Sequence, residues 1–455
     1  MFGLLGVVPW WHVVIRRLKG AFDELFRPGL DRRVYYGWRI VGAGSLLQVL
    51  VAGLFLQAYG AYVVLLQGDL GWSTTMLSAG FAMARTESAV LGPAQGYLID
   101  RFGPRVIMRV GVMLFGLGFV LLSMIQHPWQ FFVAVIILAI GASFAGFLSV
   151  TVTVVNWFQR RRATALGMAA SGVALGGLLV PAVATFMSAF GWRAAALGSG
   201  VLMLLVGPFL VQVMRHRPSE LGLEVDGIPP IDETLVVAEG PEGTQVTGLG
   251  STSPIADFTA KQALRTAAFW QISFGHGLAV MLISALMVHL IPHLTGQLGY
   301  SLTFAGLIVA LVTSMQLLGM VFGGVLGDRV SKRAIVVTAM VMHAAAALIL
   351  TVAATPLLVV GFAVMHGVAW GARGPLQQAW RADLFGSTSF GAIMGFSSVV
   401  VMLGAAGGPL LAGILFDRIG DYTATLRILA MLAVVGSLLF FLVRKPPEPA
   451  AAGTM

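Results

Sequence analysis

Long apolar runs with almost no charge dominate this sequence. Twelve of them, each about as long as a membrane-spanning helix, can be placed along its 455 residues. The hydrocarbon layer of a bilayer, ~30 Å thick, needs ~20 residues of helix, and its lack of water allows only helices or closed barrels to cross. The runs show no period-two alternation, so we expect helices. The predicted spans are 37–63, 75–98, 106–125, 130–155, 164–187, 193–214, 267–291, 303–326, 334–354, 356–380, 389–413 and 424–443.

The composition excludes several classes of protein. Hydrophobic residues make up 58% of the chain and charged residues 10%, with a mean hydropathy of +0.89, whereas soluble domains carry about 25% charged residues. A soluble globular protein is therefore excluded. The chain has no cysteine, which excludes a disulfide scaffold, a thiolate nucleophile and a cysteine-ligated zinc site.

No catalytic motif is recognisable in the sequence. It lacks a Walker loop with its phosphate-binding lysine and an HExxH metal motif, and its histidines belong to no Ser/His/Asp set. His289 and His293, at the end of span 7, are not spaced as metal ligands. We therefore expect neither an enzyme nor a metal site, and no cofactor.

The positive charges concentrate on one side of the predicted membrane. The chain has 28 Lys and Arg residues, a net charge of +9 and a pI of about 10.3. Most of these residues flank the spans on the side of the N-terminus, as they do in cytoplasmic loops. This distribution explains the basic pI without a nucleic-acid partner. It predicts a multi-pass protein of the inner or plasma membrane with both termini in the cytoplasm.

The two halves of the chain repeat one another. The segment GYLIDRFGPR at 96–105 has a counterpart in GVLGDRVSKR at 324–333, so Asp100 and Asp328 lie 228 positions apart. Parallel repeats are typical of secondary transporters, with the substrate site at their interface. We predict a cytoplasmic N-terminal segment with an interfacial apolar stretch, two six-helix bundles separated by a cytoplasmic linker, and a cytoplasmic tail. These regions are 1–34, 35–214, 215–265, 266–443 and 444–455.

The repeated segment resembles the signature loop of the major facilitator superfamily. Its first copy has Gly96, Leu98, Asp100, Arg101, Gly103 and Arg105, and its second copy has Gly324, Leu326, Asp328, Arg329, Lys332 and Arg333. The resemblance implies an all-α membrane protein with twelve transmembrane helices in two pseudo-symmetric six-helix bundles, the major facilitator fold. It also implies a gating loop, with Asp100 as a candidate latch that meets a helix N-terminus or an arginine when the bundles close. The gating residues are Gly96, Asp100, Arg101, Gly103, Arg105, Asp328, Arg329 and Arg333.

Three further segments resemble the monocarboxylate transporter and oxalate:formate antiporter branch of that superfamily. They are YYGWRIV at 35–41, RRRATALGMAASGVALGGLLVP at 160–181 and ALRTAAFWQISF at 263–274. Members of that branch carry a basic residue in span 8 or span 11 that is implicated in the carboxylate site, and this chain has none there. The anion-binding group must therefore lie elsewhere, or the substrate differs.

Ionisable residues inside the spans are the sharpest clue to function, because a charge at the bilayer centre costs about 2.5–3.5 kcal/mol. Arg85 and Glu87 lie in span 2 and Arg373 lies in span 10. Arg85 and Glu87 are two residues apart, about 200° around a helix, so they cannot share a face. We expect Arg85 and Arg373 to attract the carboxylate of an anionic substrate and Glu87 to carry a coupling proton. Control of the charge state of Glu87 is an alternative role for Arg85. A purely structural polar clamp is the alternative.

Span 10 carries a polar and aromatic stripe, because His366, Trp370, Arg373 and Gln377 are spaced by four, three and four residues. The stripe is expected to line an aqueous path, and the alternative is an arginine that extends to the membrane interface. The resemblance implies that spans 1, 4, 7 and 10 line the cavity. It therefore adds Gln48, Tyr59, Tyr62 and His276 to the predicted polar wall.

We therefore expect a secondary active transporter that moves a small, monocarboxylate-like organic anion by alternating access, coupled to protons. Its partners are the anion, protons and the lipid membrane, and a monomer is compatible with this interpretation. Two alternatives remain open. One is an exporter of hydrophobic or cationic compounds, favoured by a mainly apolar cavity in which Glu87 dominates. The other is a non-transporting membrane sensor on the same fold.

Overall fold

The structure is a computed structural model that describes residues 35–158, 161–227, 258–327, 330–386 and 389–447. All regular elements in these ranges are helical, and no strand occurs among them. The predicted N-terminal segment, most of the linker and the end of the tail lie outside the described residues. So do Asp328 and Arg329 of the second signature loop.

Twelve membrane-spanning helices are present in the described ranges, as the sequence predicts. Their bounds are α1 Tyr36–Leu70, α2 Thr74–Phe102, α3 Pro104–Ser123, α4 Pro128–Trp157, α5 162–190, α6 192–213, α7 Ala267–Gln297, α8 Leu302–Gly327, α9 Lys332–Thr351, α10 Pro356–Phe385, α11 Phe390–Ile419 and α12 Tyr422–Leu442. Helices α5 and α6 form one continuous segment that breaks at Gly191, where φ is 79° and ψ is 165°.

Ten helical segments in the described ranges are both long and apolar enough to cross a membrane. The continuous segment Ala165–Val213 is one of them, and its break makes it two spans. Helix α2 is not in this set although it has 29 residues, more than the ~20 that a bilayer needs. It carries Arg85, Glu87, Asp100 and Arg101, and these charges lower its apolar character.

Two helices change their winding where they meet. Helix α1 contains a π-helical stretch, Ala52–Leu56, and α5 contains a 3₁₀ stretch, Gly176–Leu179. A Cβ atom on Gly53 would lie 2.6 Å from the Gly176 carbonyl oxygen, and one on Gly176 would lie 2.8 Å from the Gly53 nitrogen. The two backbones therefore touch, and only glycine permits this approach.

The helices form two bundles, α1–α6 and α7–α12, whose close contacts repeat. A Cβ atom on Gly176 would press on the carbonyl of Val49, and one on Gly404 would press on the carbonyl of Gly277. The second pair follows the first by 228 positions, the offset that separates Asp100 from Asp328. The structure therefore has the internal pseudo-symmetry that the repeat predicts.

We call the end of the bundles at which α1 begins and α12 ends the proximal end. The opposite end is the distal end. At the proximal end the Tyr36 hydroxyl donates to the Val213 carbonyl at 2.9 Å. At the distal end of the first bundle Asp69 at the end of α1 pairs with Arg193 of α6. The equivalent contact of the second bundle joins Gln297 of α7 to Asp421 before α12, with Nε2 and Oδ1 2.8 Å apart.

Candidate functional site

A cavity with a volume of about 300 Å³ lies within the first bundle. Residues of helices α1, α2, α4 and α5 line it. Its lining residues are Gln48, Val51, Ala52, Phe55, Leu56, Phe81, Ala84, Arg85, Gln95, Ala139, Ala142, Ser143, Gly146, Phe147, Leu148 and Val173. Most of these side chains are apolar. Arg85 is the one ionisable side chain among them.

Arg85 reaches the cavity from the middle of α2. Its guanidinium lies over the Phe81 ring, with Cζ 4.9 Å from the ring centroid, and Nη2 lies 3.6 Å from the sulfur of Met287 in α7. Its Nε atom is buried without a hydrogen-bond partner in the described structure. Arg85 forms no ion pair with a described carboxylate. The cavity wall therefore presents a positive charge to a largely apolar space.

Glu87 does not join Arg85 at the cavity. It is half-buried on α2 and is absent from the lining residues, although it is engaged in an interaction of its own. This arrangement agrees with the two-residue spacing, which directs the side chains to different sides of the helix. The predicted role of Glu87 in proton coupling stays a prediction.

Two glutamine amides lie on the cavity wall, and they differ in how their hydrogen-bonding groups are used. Gln48 donates from Nε2 to the Ala169 carbonyl at 2.9 Å, while its Oε1 atom is buried without a partner among the described residues. Gln95 donates to the Ser143 carbonyl at 2.7 Å and accepts from the Ser143 hydroxyl at 3.1 Å. Gln48 therefore keeps a free acceptor, whereas Gln95 is satisfied by α4.

The predicted stripe on α10 does not line this cavity. His366 and Trp370 border a smaller, mainly apolar pocket between the bundles. Arg373 is 1% exposed and donates from Nη1 to Oε1 of Gln377 at 2.7 Å. Its burial inside the bundle argues against an arginine that extends to the membrane interface. The Nε atom of Arg373 and the Nε2 atom of Gln377 have no partner among the described residues.

Arg381 is a buried cation that the sequence analysis missed. We expected it in a loop, but α10 continues to Phe385 and Arg381 is only 2% exposed. Its Nη2 atom lies 3.3 Å from Nδ1 of His276 and donates to the Ser397 hydroxyl at 2.9 Å. The available signal was its spacing of four residues from Gln377, which continues the stripe by one turn.

Tyr59 and Tyr62 lie in the packed distal part of the first bundle, not on the cavity wall. Both are 3% exposed and border a small apolar pocket with Phe55 and Leu77. The Tyr59 hydroxyl donates to the Leu77 carbonyl at 2.7 Å. A contribution of either tyrosine to transport stays a prediction.

The bundles meet along a distal seam, formed by Thr74, Thr75 and Ser78 of α2 against His289 of α7 and Asp417 of α11. The two carboxylate oxygens of Asp417 accept from the backbone N–H groups of Thr74 at 3.0 Å and Thr75 at 2.8 Å. These N–H groups belong to the first turn of α2, whose donors have no partner within the helix. One carboxylate of the second bundle therefore caps a helix of the first.

His289 supports the same seam. Its Nε2 atom lies 3.0 Å from the carbonyl of Pro409 and 3.1 Å from the hydroxyl of Ser78, and its Nδ1 atom lies 3.1 Å from the hydroxyl of Tyr422. A carbonyl only accepts hydrogen bonds, so the contact with Pro409 assigns a proton to Nε2. The imidazole thereby ties α2 to helices of the second bundle.

The gating residues of the first signature loop lie where α2 meets α3 at the proximal end, whereas Asp328 and Arg329 of the second lie outside the described residues. Gly96, Asp100 and Arg101 lie in the last turns of α2, and Gly103 has a φ of 79° between α2 and α3. Arg105 begins α3. In the second bundle Arg333 donates to the Phe441 carbonyl at the end of α12. The latch predicted for Asp100 stays a prediction, as do the roles of the other loop residues.

Comparison with known proteins agrees with this architecture. The sequence matches the Major Facilitator Superfamily over residues 45–290 and 272–454. It is 25% identical over 415 residues to monocarboxylate transporter 13 of Bos taurus, with 88% of each chain covered. It is 22% identical over 410 residues to the hexuronate transporter of Bacillus subtilis (strain 168), with 86% of this chain and 90% of that protein covered.

A solved structure shows the same fold. The crystal structure of a bacterial homolog to the human lysosomal transporter Spinster, in an inward-facing and unoccupied conformation, has a TM-score of 0.66 to this protein. The comparison covers 91% of this chain and 97% of that chain, at 15% sequence identity. Since the family match extends across both bundles, this multi-pass membrane protein belongs to the major facilitator superfamily, whose members are transporters and not enzymes.

Proposed function

We propose that this protein is a secondary active transporter that moves a small, monocarboxylate-like organic anion across the cytoplasmic membrane, coupled to protons. The observation that carries the proposal is Arg85. Its guanidinium borders a cavity inside the membrane-spanning part of the protein and has no carboxylate partner among the described residues. An unpaired charge in such a place is costly, and an anionic substrate would offset that cost.

The chemistry of the guanidinium favours a carboxylate. An arginine donates two parallel hydrogen bonds to a carboxylate and holds it with a charge-assisted pair. The buried Arg373 and Arg381 add positive potential on the second bundle, and no described carboxylate forms an ion pair with either. The relatives point the same way, because monocarboxylates and hexuronates both carry a carboxylate group.

The distal seam supports transport by alternating access. Its hydrogen bonds join α2 to Asp417 and His289 of the other bundle, and α2 and α11 pack closely at Gly413. In this proposal the seam closes one side of the membrane while the substrate exchanges on the other. Glu87 carries the coupling proton, and both termini face the cytoplasm.

Purified protein in proteoliposomes tests the proposal. We expect saturable uptake of radiolabelled monocarboxylates that increases with an inward proton gradient. Arg85→Gln should remove saturable uptake, because the carboxylate loses its partner, while Arg427→Gln should leave it intact because Arg427 is exposed on α12. Unchanged uptake kinetics in Arg85→Gln, with normal yield and thermal stability, would remove the basis of the proposal.

A second candidate is an exporter of hydrophobic or cationic compounds. The apolar majority of the cavity wall favours it, since phenylalanine, valine and leucine side chains bind apolar groups. The charge of Arg85 opposes a cationic substrate. Efflux of a lipophilic cation such as tetraphenylphosphonium from loaded proteoliposomes, together with no uptake of any carboxylate, would favour this candidate.

A further inference from the structure

We propose that the cavity of the first bundle selects monoanions with an apolar body and a hydroxyl or N–H donor next to the carboxylate, in preference to short monocarboxylates and dicarboxylates. This inference rests on the proposed function, because it names the substrate class for the same cavity. Three properties of the wall carry it: its charge, its apolar surface and one free acceptor.

The charge of the wall matches one carboxylate. Among the described residues that line the cavity, Arg85 is the one with an ionisable side chain, and it gives this wall a single positive charge. A substrate with two carboxylates would leave the second without a cationic partner in a largely apolar space. Burying an unpaired carboxylate is strongly unfavourable. The cavity should therefore discriminate against dianions.

The size and surface of the cavity match a larger body than that of acetate or lactate. At about 30 Å³ for each water in the liquid, a volume of about 300 Å³ holds a ligand of roughly ten non-hydrogen atoms. Phe55, Phe81 and Phe147 contribute aromatic surface to the wall. A short anion would leave this surface without contacts, whereas a phenyl or branched aliphatic group would cover it.

Gln48 supplies the third property. Its Nε2 atom is held by the Ala169 carbonyl, which fixes the orientation of the amide. The Oε1 atom remains buried with no partner in the described structure. A buried acceptor without a donor carries a desolvation penalty that a ligand donor would remove. Gln95 offers no comparable site, because its carbonyl already accepts from Ser143.

A matched series of compounds tests all three properties in the reconstituted full-length protein. The reference substrate is radiolabelled 3-phenyllactate, a monoanion with a phenyl body and a hydroxyl group. Lactate lacks the phenyl group, 3-phenylpropanoate lacks the hydroxyl group, and benzylmalonate replaces the hydroxyl group with a second carboxylate. Each unlabelled compound competes with the reference under an imposed proton gradient.

We expect 3-phenyllactate to have the lowest half-saturating concentration. Lactate and benzylmalonate should compete at least about tenfold more weakly, because the first loses apolar contact and the second has an unpaired charge. 3-Phenylpropanoate should compete about fivefold more weakly than 3-phenyllactate, because it lacks the hydroxyl group that Gln48 would accept.

Two variants assign these preferences to residues. Arg85→Gln should remove saturable uptake of every carboxylate, with Arg427→Gln as its control. Gln48→Met should make 3-phenyllactate and 3-phenylpropanoate equivalent while uptake of 3-phenylpropanoate persists. That persistence shows that the variant is folded, so a retained preference for the hydroxyl group in Gln48→Met overturns the role of Gln48.

The outcomes separate this inference from the proposed function. If lactate or benzylmalonate competes as well as 3-phenyllactate, and uptake still depends on Arg85, the inferred substrate class is wrong and the anion transporter remains. If no compound of the series enters proteoliposomes under the gradient, both the proposed function and the substrate class fail.

Discussion

Asp421 shows how a single carboxylate orders the distal loops. It precedes α12 and accepts from the backbone N–H and the hydroxyl of Thr423, each at 2.8 Å, and from Nε2 of Gln297 at 2.8 Å. The N–H of Thr423 contributes most to holding the pKa of this carboxyl below its ordinary value. The residue lies outside the membrane-spanning helices, so its ionisation follows the bulk pH.

The cap at Asp421 predicts a pH-dependent stability. Asp421→Ala should reduce the free energy of unfolding by about 0.5–2 kcal/mol at pH 7, because α12 loses its N-cap. A carboxyl whose pKa is depressed in the folded state makes its full contribution to the free energy of unfolding at pH values above its unfolded-state pKa, which is about 3.9. That stabilisation is lost as the pH falls through the lower folded-state pKa. Thermal unfolding in detergent at several pH values measures both effects.

Asp421→Asn is the matched control for this prediction. An asparagine side chain can still accept at the N-cap but does not titrate. The Asn variant should therefore be nearly as stable as the wild type at pH 7 and should lack the acid-dependent loss. A difference between the wild type and Asp421→Ala that does not narrow on acidification would contradict this account.

Individual residues differ in how far the sequence could identify their surroundings. Arg85 and Gln48 were predictable, because an ionisable or amide side chain inside a span must meet protein or a cavity. Arg381 was missed because the predicted span ended one residue before it, and span boundaries in sequence are uncertain by several residues. The interior packing of Tyr59 depends on neighbours from another helix, which its position in α1 does not reveal.

At the level of helices, the N-terminus of α2 depends on a residue from the other bundle. Removing the carboxylate of Asp417 should weaken the distal seam, because two backbone N–H groups lose a charged acceptor. Since the natural chain contains no cysteine, a single Thr74→Cys substitution reports access to the seam. We expect Asp417→Ala to increase its labelling by a membrane-impermeant maleimide about tenfold, consistent with charged hydrogen bonds worth about 1.5–3 kcal/mol.

Asp383→Ala is the control for this experiment. Asp383 pairs with Lys332 at the proximal end, where their atoms lie 2.6 Å apart. Its removal also deletes an exposed carboxylate, but one remote from the seam, so the labelling rate of Thr74→Cys should not change. Equal labelling rates with and without Asp417→Ala would show that this carboxylate does not hold the seam closed.

The helices themselves were largely predictable, whereas their irregularities were not. Apolar runs and the signature loops located all twelve spans, since the bilayer imposes a minimum length on each. The π-helical stretch Ala52–Leu56 and the 3₁₀ stretch Gly176–Leu179 arise where two backbones touch. Many glycines of this chain lie in helices without such a contact, so a glycine alone does not indicate one.

For the molecule as a whole, the proposed orientation makes a direct prediction. Gln126→Cys places a thiol in the exposed distal loop between α3 and α4, and Lys261→Cys places one in the proximal segment before α7. If both termini face the cytoplasm, an impermeant maleimide should label Gln126→Cys in intact cells. It should label Lys261→Cys only after the cells are permeabilised, and the reverse pattern would invert the topology.

Helix α2 joins two places that lie far apart in the protein. Arg85 follows Thr74 by eleven residues, which at 1.5 Å per residue separates them by roughly 16 Å along the helix axis. The helix is continuous from Thr74 to Phe102, so the stretch between them behaves as a stiff rod. A displacement of the Arg85 guanidinium by a bound substrate would therefore also move the N-terminus of α2, which Asp417 holds by two hydrogen bonds. In the proposed transport cycle, helix α2 would thereby couple substrate binding in the cavity to closure of the distal seam, without a relay of side chains.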